Sequence, residues 1–254
     1  MEMISLKSAR EIDLMRKAGR ITAAARKLAG ELVVPGKSTL EIDKAVRKFI
    51  ESQGAKPSFL GYGGFPGSAC ISVNEVVIHG IPGKRVLKEG DIVSIDVGAF
   101  IDGFHGDCAA TFRCGTVSPE AERLIAVTEQ SFWEGMKFAK PGQRVSDISH
   151  AVQKYVESNG YSVVRDFVGH GVGSQLHEPP QVPNYGPAGH GPRLMPGMTL
   201  AVEPMVCAGG WQVKVLADKW TTVSADNSLT AHYENTILIT EDGFEVLTDP
   251  GDAI

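Results

Sequence analysis

Apolar positions recur at helical spacing through Ile12, Met15, Ala18, Ile21, Ala25 and Leu28, and Ser8-Ala9-Arg10-Glu11 stands before them as a capping box. A helix from about Ser8 to Gly30 is predicted. Pro35-Gly36 marks a turn. Ser38-Thr39-Leu40-Glu41 is a second capping box and opens a helix through Ile42, Ala45, Val46, Phe49 and Ile50, ended by Gly54. Ser118-Pro119-Glu120 sets a capping serine before a proline at the first helical position, so a further helix should run to about Ala139. Elsewhere the helical period is lost. Ile92, Val93 and Ile95 lead into Asp96, a Gly-Ala-Phe-Ile-Asp-Gly turn follows, and the chain returns through Asp107 into Ala109, Ala110, Thr111 and Phe112. This reads as a β-hairpin or short meander with an acid on each arm. Further strands are expected near 162–169, 199–207, 211–216 and 232–240, and the Pro- and Gly-rich stretch 177–197 reads as loop.

The helix after Pro35-Gly36 has an echo. Pro35, Gly36, Ile42, Ala45, Val46, Lys48, Glu51, Ser52 and Gly54 recur as Pro141, Gly142, Ile148, Ala151, Val152, Lys154, Glu157, Ser158 and Gly160, nine identities at a constant offset of 106. Leu87-Lys88-Glu89-Gly90 reaches Asp96 six residues after its glycine, and Leu194-Met195-Pro196-Gly197 reaches Glu203 in the same way, at an offset of 107. The near-identical offsets imply an internal duplication, with α/β halves of about 1–115 and 116–254 in one domain, related by a pseudo-two-fold axis. Asp96 and Glu203 would then hold equivalent strand positions and face each other across the centre.

Length and charge narrow the function. A chain of 254 residues, 43% hydrophobic, suits one large domain or two small ones. A net charge of −5 argues against nucleic-acid recognition. One face of the first helix is nonetheless basic (Arg10, Arg16, Lys17, Arg20, Arg26 and Lys27), which reads first as a solvated surface and second as a docking face for a ribosome or another polyanion. No signal peptide and no membrane-spanning run are expected. Cys70, Cys108, Cys114 and Cys207 form no Cys-x-x-Cys pair and read as free thiols in a reducing cytosol.

Asp96 and Asp107 could be exposed strand residues beside a surface turn. They could equally be buried acids whose charge a divalent cation compensates. The hairpin alone leaves these readings level. The rest of the chain supplies further candidates: His170 between glycines in Val168-Gly169-His170-Gly171-Val172-Gly173, Glu203 at the end of Leu200-Ala201-Val202, and Glu234, which opens what reads as the last strand in His232-Tyr233-Glu234-Asn235. Each has a plain explanation alone, as a satisfied core histidine or a strand-edge acid. Together, four carboxylates and one imidazole suit a dinuclear site for Mn, Fe or Co.

These motifs, with Gly103-Phe104-His105-Gly106-Asp107, His177-Glu178-Pro179 and Tyr233-Glu234-Asn235-Thr236, resemble the type I methionine aminopeptidases of the pita-bread fold over essentially the whole chain. The resemblance implies an α/β fold of two pseudo-symmetric halves around a central antiparallel sheet. It implies two divalent ions (Co, Mn, Fe or Zn) held by Asp96, Asp107, His170, Glu203 and Glu234, with Asp107 and Glu234 bridging, Asp96 on one ion, and His170 and Glu203 completing the other. Glu203 would also be general base and then acid, His177 would stabilise the oxyanion, and His79 would contact the peptide near the scissile bond. Only 33 residues separate His170 from Glu203 and 31 separate Glu203 from Glu234, which leaves no room for the helical insertion of type II enzymes. The zinc-binding extension of eukaryotic cytosolic forms is also expected to be absent.

The same resemblance places Phe59, Tyr62, Phe65, Cys70, Leu176 and Trp220 around an apolar methionine pocket, an environment suited to a flexible thioether. Well-known bacterial enzymes often carry cysteine where Phe59 stands, histidine at Gly63 and phenylalanine at Leu176, departures that bear on affinity rather than on the reaction. Asn74, Val76 through its carbonyl, and Thr230 match a monovalent-cation site for Na or K. The implied activity is removal of the initiator methionine from nascent chains with a small second residue, by a cytoplasmic monomer. An X-Pro aminopeptidase or dipeptidase on the same fold is the alternative enzyme. A metal-free pita-bread module that binds protein or RNA is the alternative from another class.

Overall fold

Both capping boxes form, and each starts a helix. The Ser8 N–H donates to Glu11 Oε2 at 2.8 Å ahead of α1 (Ala9–Glu31), and the Ser38 N–H donates to Glu41 Oε2 at 2.8 Å ahead of α2 (Thr39–Ser52). The computed structural model describes residues 3–249, so both ends of the expected 1–254 domain lie outside the described residues. Short strands β1 (Lys56–Pro57), β2 (Ala69–Val73) and β3 (Val76–Ile78) lead to the long pair β4 (Ile92–Ile101) and β5 (Phe104–Arg113). After α3 (Pro119–Met136) and α4 (Val145–Ser158) come β6 (Ser162–Val163), β7 (Gly169–Gly171), β8 (Glu178–Val182), β9 (Thr199–Val202) and β10 (Met205–Cys207). The series closes with β11 (Val213–Val215), β12 (Thr222–Ser224), β13 (Thr230–His232), β14 (Glu234–Ile239) and β15 (Phe244–Val246).

A nine-stranded antiparallel sheet runs in the order β1-β4-β5-β14-β9-β7-β8, with β2 on β4 and β15 on β14. The sheet curls, as in the pita-bread fold. Its helix-bearing face has two cores. Ala18, Ile21, Ala25, Ile42, Val46 and Ile50 of α1 and α2 pack on Ile71, Val93, Ile95 and Val97. Leu124, Phe132, Ile148 and Val152 of α3 and α4 pack on Leu200, Val202, Ile237 and Ile239.

The repeated stretches share local geometry. Helix α4 begins and ends 106 positions after α2. Leu87 N–H donates to the Lys37 carbonyl at 2.8 Å, and Leu194 N–H donates to the Gln143 carbonyl at 2.8 Å. Isolated bridges join Ser38 to Val86 and Arg144 to Arg193.

Several boundaries differ from the sequence reading, each for a local reason. The hairpin turn is only Asp102-Gly103, with positive φ of 52° and 90°, and Gly98 to Ile101 still belong to the strand. Helix α3 stops at Met136, where the Phe138 and Ala139 N–H groups fold back onto the Gly135 and Met136 carbonyls at 3.0 Å each. The expected strand 199–207 divides into β9 and β10, because Pro204 has no N–H for the ladder. Residues 178–182 form a strand and not loop: β8 is a sheet edge, so its prolines need not donate on both sides. The expected strand 162–169 is likewise two pieces, β6 and β7, and β15 follows the strand of Glu234, which is therefore not the last.

The basic face of α1 is only partly free. Arg16 pairs with Asp13 and Glu245, Lys17 pairs with Asp102, and Arg26 donates to the Ala109 and Glu234 carbonyls. Among the described residues no helix is long and apolar enough to cross a membrane, and all four cysteines are buried free thiols.

Candidate active site

Five neighbouring strands of the large sheet each present one of the five expected ligands. Asp96 lies mid-β4, Asp107 on β5, Glu234 at the start of β14, Glu203 just past the end of β9, and His170 in the centre of β7. Register makes the cluster. Asp96 stands opposite Ala109 and Asp107 opposite Gly98, so the two aspartates are diagonal neighbours on one face of the hairpin. Glu234 pairs with Ala109, beside both. His170 pairs with Ala201, two positions before Glu203. The glycines around His170 are needed for this: a Cβ at Gly169 would lie 2.3 Å from the Ala201 carbonyl oxygen, and one at Gly171 would lie 2.4 Å from that of Pro179. Asp96 and Glu203, equivalent in the sequence repeat, line the same cavity.

The cluster is short of positive charge. Burial raises the pKa of Asp96 to about 7, against the lowering effect of its hydrogen bond with Asp107. Asp107, Glu203 and Glu234 are pushed well above the ordinary carboxylate range, first by burial and then by one another's charges. Burial lowers His170 to about 3, so its imidazole is neutral, and its Nδ1 faces the Gly171 carbonyl at 2.8 Å. That leaves Nε2 turned to the acids, 3.6 Å from Glu203 Oε1 and 3.7 Å from Asp107 Oδ2. Asp96 Oδ1, Asp107 Oδ1 and Glu234 Oε1 are buried with no hydrogen-bond partner in the protein. Acid oxygens with raised pKa values, orphaned around a neutral imidazole, fit a divalent cation by donor type and by charge. Ligand atoms of Asp107, His170 and Glu234 lie within 4.8 Å of one another, and so do those of Asp96, His232 and Glu234.

The cavity over this cluster is lined by Phe59, Tyr62, Phe65, Cys70, His79, Leu176, His177 and Trp220 together with the four acids and His170. Its apolar end is a packed group: Phe59, Phe65, Cys70 and Leu176 are buried, and Ile81 and Trp220 pack against them. Tyr62 differs from the expected apolar wall. It is half exposed, and its hydroxyl sits 2.7 Å from His177 Nδ1. His177 stacks obliquely on His170 at 4.2 Å between ring centres, and His79 meets Phe167 and Trp220 edge-on. Burial lowers the pKa of His79 to about 4, with a further lowering from His177, and it lowers that of His177 as well.

Asn74, Val76 and Thr230 meet away from this cavity. The Thr230 hydroxyl donates to the Asn74 carbonyl at 2.9 Å and the Val76 carbonyl at 2.8 Å. The Asn74 side chain is committed elsewhere, donating to Asp91 and accepting from the Ile92 N–H.

Sequence reasoning assigned no part to two residues of the site. Ile81 closes the apolar end, and its signal was the apolar run on either side of His79. His232 lies 2% exposed against Glu203 and Glu234, and its signal was a position two residues before a candidate acid.

A profile of metallopeptidase family M24 matches residues 13–241. Methionine aminopeptidase 1 of Bacillus subtilis is 56% identical over 246 residues, covering 97% of this chain and 99% of the relative. Methionine aminopeptidase A of Synechocystis is 48% identical, covering 97% and 98% of the two chains. The crystal structure of a methionine aminopeptidase from Thermotoga maritima superposes with a TM-score of 0.96 at 48% identity, covering 97% of this chain and 100% of the other. The prolidase of Pyrococcus furiosus superposes with a TM-score of 0.78 at 25% identity, and this chain covers 65% of it. The chain belongs to metallopeptidase family M24, on its methionine aminopeptidase branch of bacterial type I.

Proposed function

We propose that this chain removes the initiator methionine from nascent polypeptides whose second residue is small, by hydrolysis assisted by two divalent ions. The observation that carries this reading is the apolar pocket of Phe59, Phe65, Cys70, Leu176, Ile81 and Trp220 opening onto the carboxylate cluster. A methionine side chain suits that pocket, and its α-amine and carbonyl would then lie over the acids. Asp96, Asp107, His170, Glu203 and Glu234 would hold the ions; Mn, Fe, Co and Zn all suit the donor set. Bound there, such ions polarise the scissile carbonyl and make water nucleophilic near neutral pH.

The chain's own groups supply the rest. Glu203, its proton affinity raised by burial, takes the proton from water and passes it to the leaving amine. His177 donates a hydrogen bond to the carbonyl oxygen as negative charge develops there, with Tyr62 fixing its other ring nitrogen. His79 contacts the peptide from beside Trp220. Asn74, Val76 and Thr230 would hold a monovalent ion, Na or K, through oxygen atoms. The duplicated halves belong to a single catalytic domain, and the enzyme works as a cytoplasmic monomer. Any ribosome contact is transient, because half of the basic face of α1 is engaged within the fold.

The test is hydrolysis of Met-Ala-Ser and Met-Leu-Ser by wild type and Glu203→Ala, each loaded with Mn or Co. Cleavage of the first peptide only, lost in the variant, is expected. No cleavage by metal-loaded wild type, with turnover of Ala-Pro peptides instead, would give the site to the prolidase-like alternative. No bound metal and no hydrolysis would favour a binding module.

A further inference from the structure

His232 ends β13 two residues before Glu234 and is buried. Its Nε2 has no hydrogen-bond partner. A buried polar atom left in this way costs about 1–3 kcal/mol, so the position calls for a reason. The nitrogen lies 3.8 Å from Glu203 Oε2 and 3.8 Å from Glu234 Oε2. That is beyond a hydrogen bond, which spans about 2.7–3.2 Å. It falls within the span, between adjacent and opposite positions, of ligand atoms that share an ion. With bonds of about 2.1 Å, adjacent ligand atoms stand about 3.0–3.4 Å apart and opposite ones about 4.2 Å. His170 keeps the same spacing from its acids, 3.6 and 3.7 Å.

The backbone of His232 is fixed on both sides. Its N–H donates to Thr111 Oγ1 at 2.9 Å, and the Thr111 hydroxyl donates back to its carbonyl at 2.9 Å. The ring is thus presented from a rigid strand rather than a loop. Two groups of possible ligand atoms result, Asp107-His170-Glu234 and Asp96-His232-Glu234, each with one imidazole and with Glu234 common to both.

We infer that His232 is a metal ligand, its Nε2 joining Asp96 and Glu234 around one divalent ion, so that each of the two ion positions has its own imidazole. This rests on the dinuclear reading of the site and extends the five-residue set by a sixth member.

A crystal structure of the full chain loaded with Mn, located by anomalous scattering, tests it directly. His232 Nε2 is expected about 2.1–2.3 Å from one ion. Titration calorimetry with Mn on the wild type, His232→Leu and His232→Gln supplies a second readout, with folding checked by circular dichroism. One of two binding events should weaken at least tenfold in both variants, and the other should be unchanged. The glutamine variant, close in size and polar, keeps the test open if the leucine variant does not fold. A ring nitrogen more than 3 Å from both ions overturns the inference, as does unchanged affinity at both positions. Wild type that binds only one ion, or none, would instead bring down the dinuclear reading itself.

Discussion

Lys7 and Glu178, 171 positions apart in sequence, form a buried ion pair with Nζ 2.5 Å from Oε2. The Lys7 N–H is fixed to the Gly197 carbonyl at 2.8 Å. The other oxygen of Glu178 accepts from the Gln175 N–H at 3.1 Å. The pair therefore ties the segment before α1 to the loop that carries Leu176 and His177, both of which line the cavity.

Replacing Lys7 by methionine leaves a buried carboxylate without its partner. A stability loss of about 3–5 kcal/mol is expected in urea unfolding. KM for Met-Ala-Ser should rise with it, because the loop holding Leu176 loosens. The double variant Lys7→Met/Glu178→Met removes the stranded charge and should recover part of the stability. A double variant no more stable than the single one would show that the loss came from lost packing and not from the charge.

The metal-free protein should lose stability as pH rises above neutrality. The carboxylates of Asp96, Asp107, Glu203 and Glu234 have folded-state pKa values above their unfolded ones, Asp96 at about 7 and the others well raised. Such groups hold more protons folded than unfolded, so their contribution is present below the unfolded pKa and is lost as pH rises through the folded values. His79, His170 and His232, lowered to about 4, 3 and 3, act in the opposite sense, but only below the ordinary histidine pKa of about 6.5. Between about pH 6.5 and 8.5 the acids dominate, at up to about 1.4 kcal/mol per pH unit for each one still protonated when folded, and the buried thiols, also raised, add to the same fall toward the upper end. Thermal unfolding of chelator-treated protein should therefore show Tm falling over this range. Saturating Mn should remove the fall, because the ion binds the deprotonated form. A Tm that rises with pH in the metal-free protein would contradict the charge state assigned to the cluster.

Part of this site was legible in the sequence: acids stand out in apolar strands, the Asp-Gly signal marks a hairpin with an acid on each arm, and the repeat at offsets of 106 and 107 pairs Asp96 with Glu203. The register was not, because the turn read as six residues is only Asp102-Gly103, and that shorter turn sets Asp96 diagonal to Asp107. The resemblance to a known family then named the pocket residues, which no local pattern could have gathered from positions as far apart as Phe59 and Trp220. What remained hidden depended on tertiary neighbours. His232 belongs to a different sheet from Glu234, and only their packing turns its nitrogen toward the acids. The strand at 178–182 was hidden by prolines that an edge position tolerates. Tyr62, which the resemblance placed in the pocket, does line the cavity, but its bond to His177 spans 115 positions and no local pattern shows it.

The four thiols should be inert in the folded protein. Burial raises Cys70 far above the ordinary thiol range, with the charges of Asp96 and Asp107 adding to it, and raises Cys207 to about 12. Cys108 and Cys114 are also raised, first by burial. Reactivity follows the thiolate. A disulfide-exchange reagent at pH 8 is expected to titrate no thiol in native protein and all four after denaturation. Fast labelling of Cys70 in the native state would mean that the pocket wall opens readily, and protection by a methionine-like ligand would then locate the opening.

Two glycines three positions apart should respond very differently to alanine. Gly103 has a φ of +90°, and a Cβ there would meet nothing within 4 Å. Its substitution costs only backbone conformational strain, about 1 kcal/mol. Gly106 lies where α1 rests on the hairpin, and its Cβ would stand 2.8 Å from Thr22 Oγ1 and 2.9 Å from the backbone of Ala18 and Gly19. Those atoms cannot swing aside. Thr22 donates to the Ala18 carbonyl at 2.9 Å and accepts from the Ala99 N–H at 3.2 Å, so helix and hairpin are pinned at this point. Gly106→Ala must lift the helix or push β5 inward, a strain of about 1–3 kcal/mol by analogy with overpacked cores. The residue next to it is Asp107, a proposed ligand, so the displacement should also weaken Mn binding by about tenfold or more, as changes around a ligand commonly do. Gly103→Ala should bind Mn as wild type does. Urea unfolding of the metal-free variants and Mn calorimetry measure the two effects separately. Equal Mn affinity in both variants would mean that the cluster tolerates movement of β5, and that Asp107 is not held in place by the contact between α1 and the hairpin.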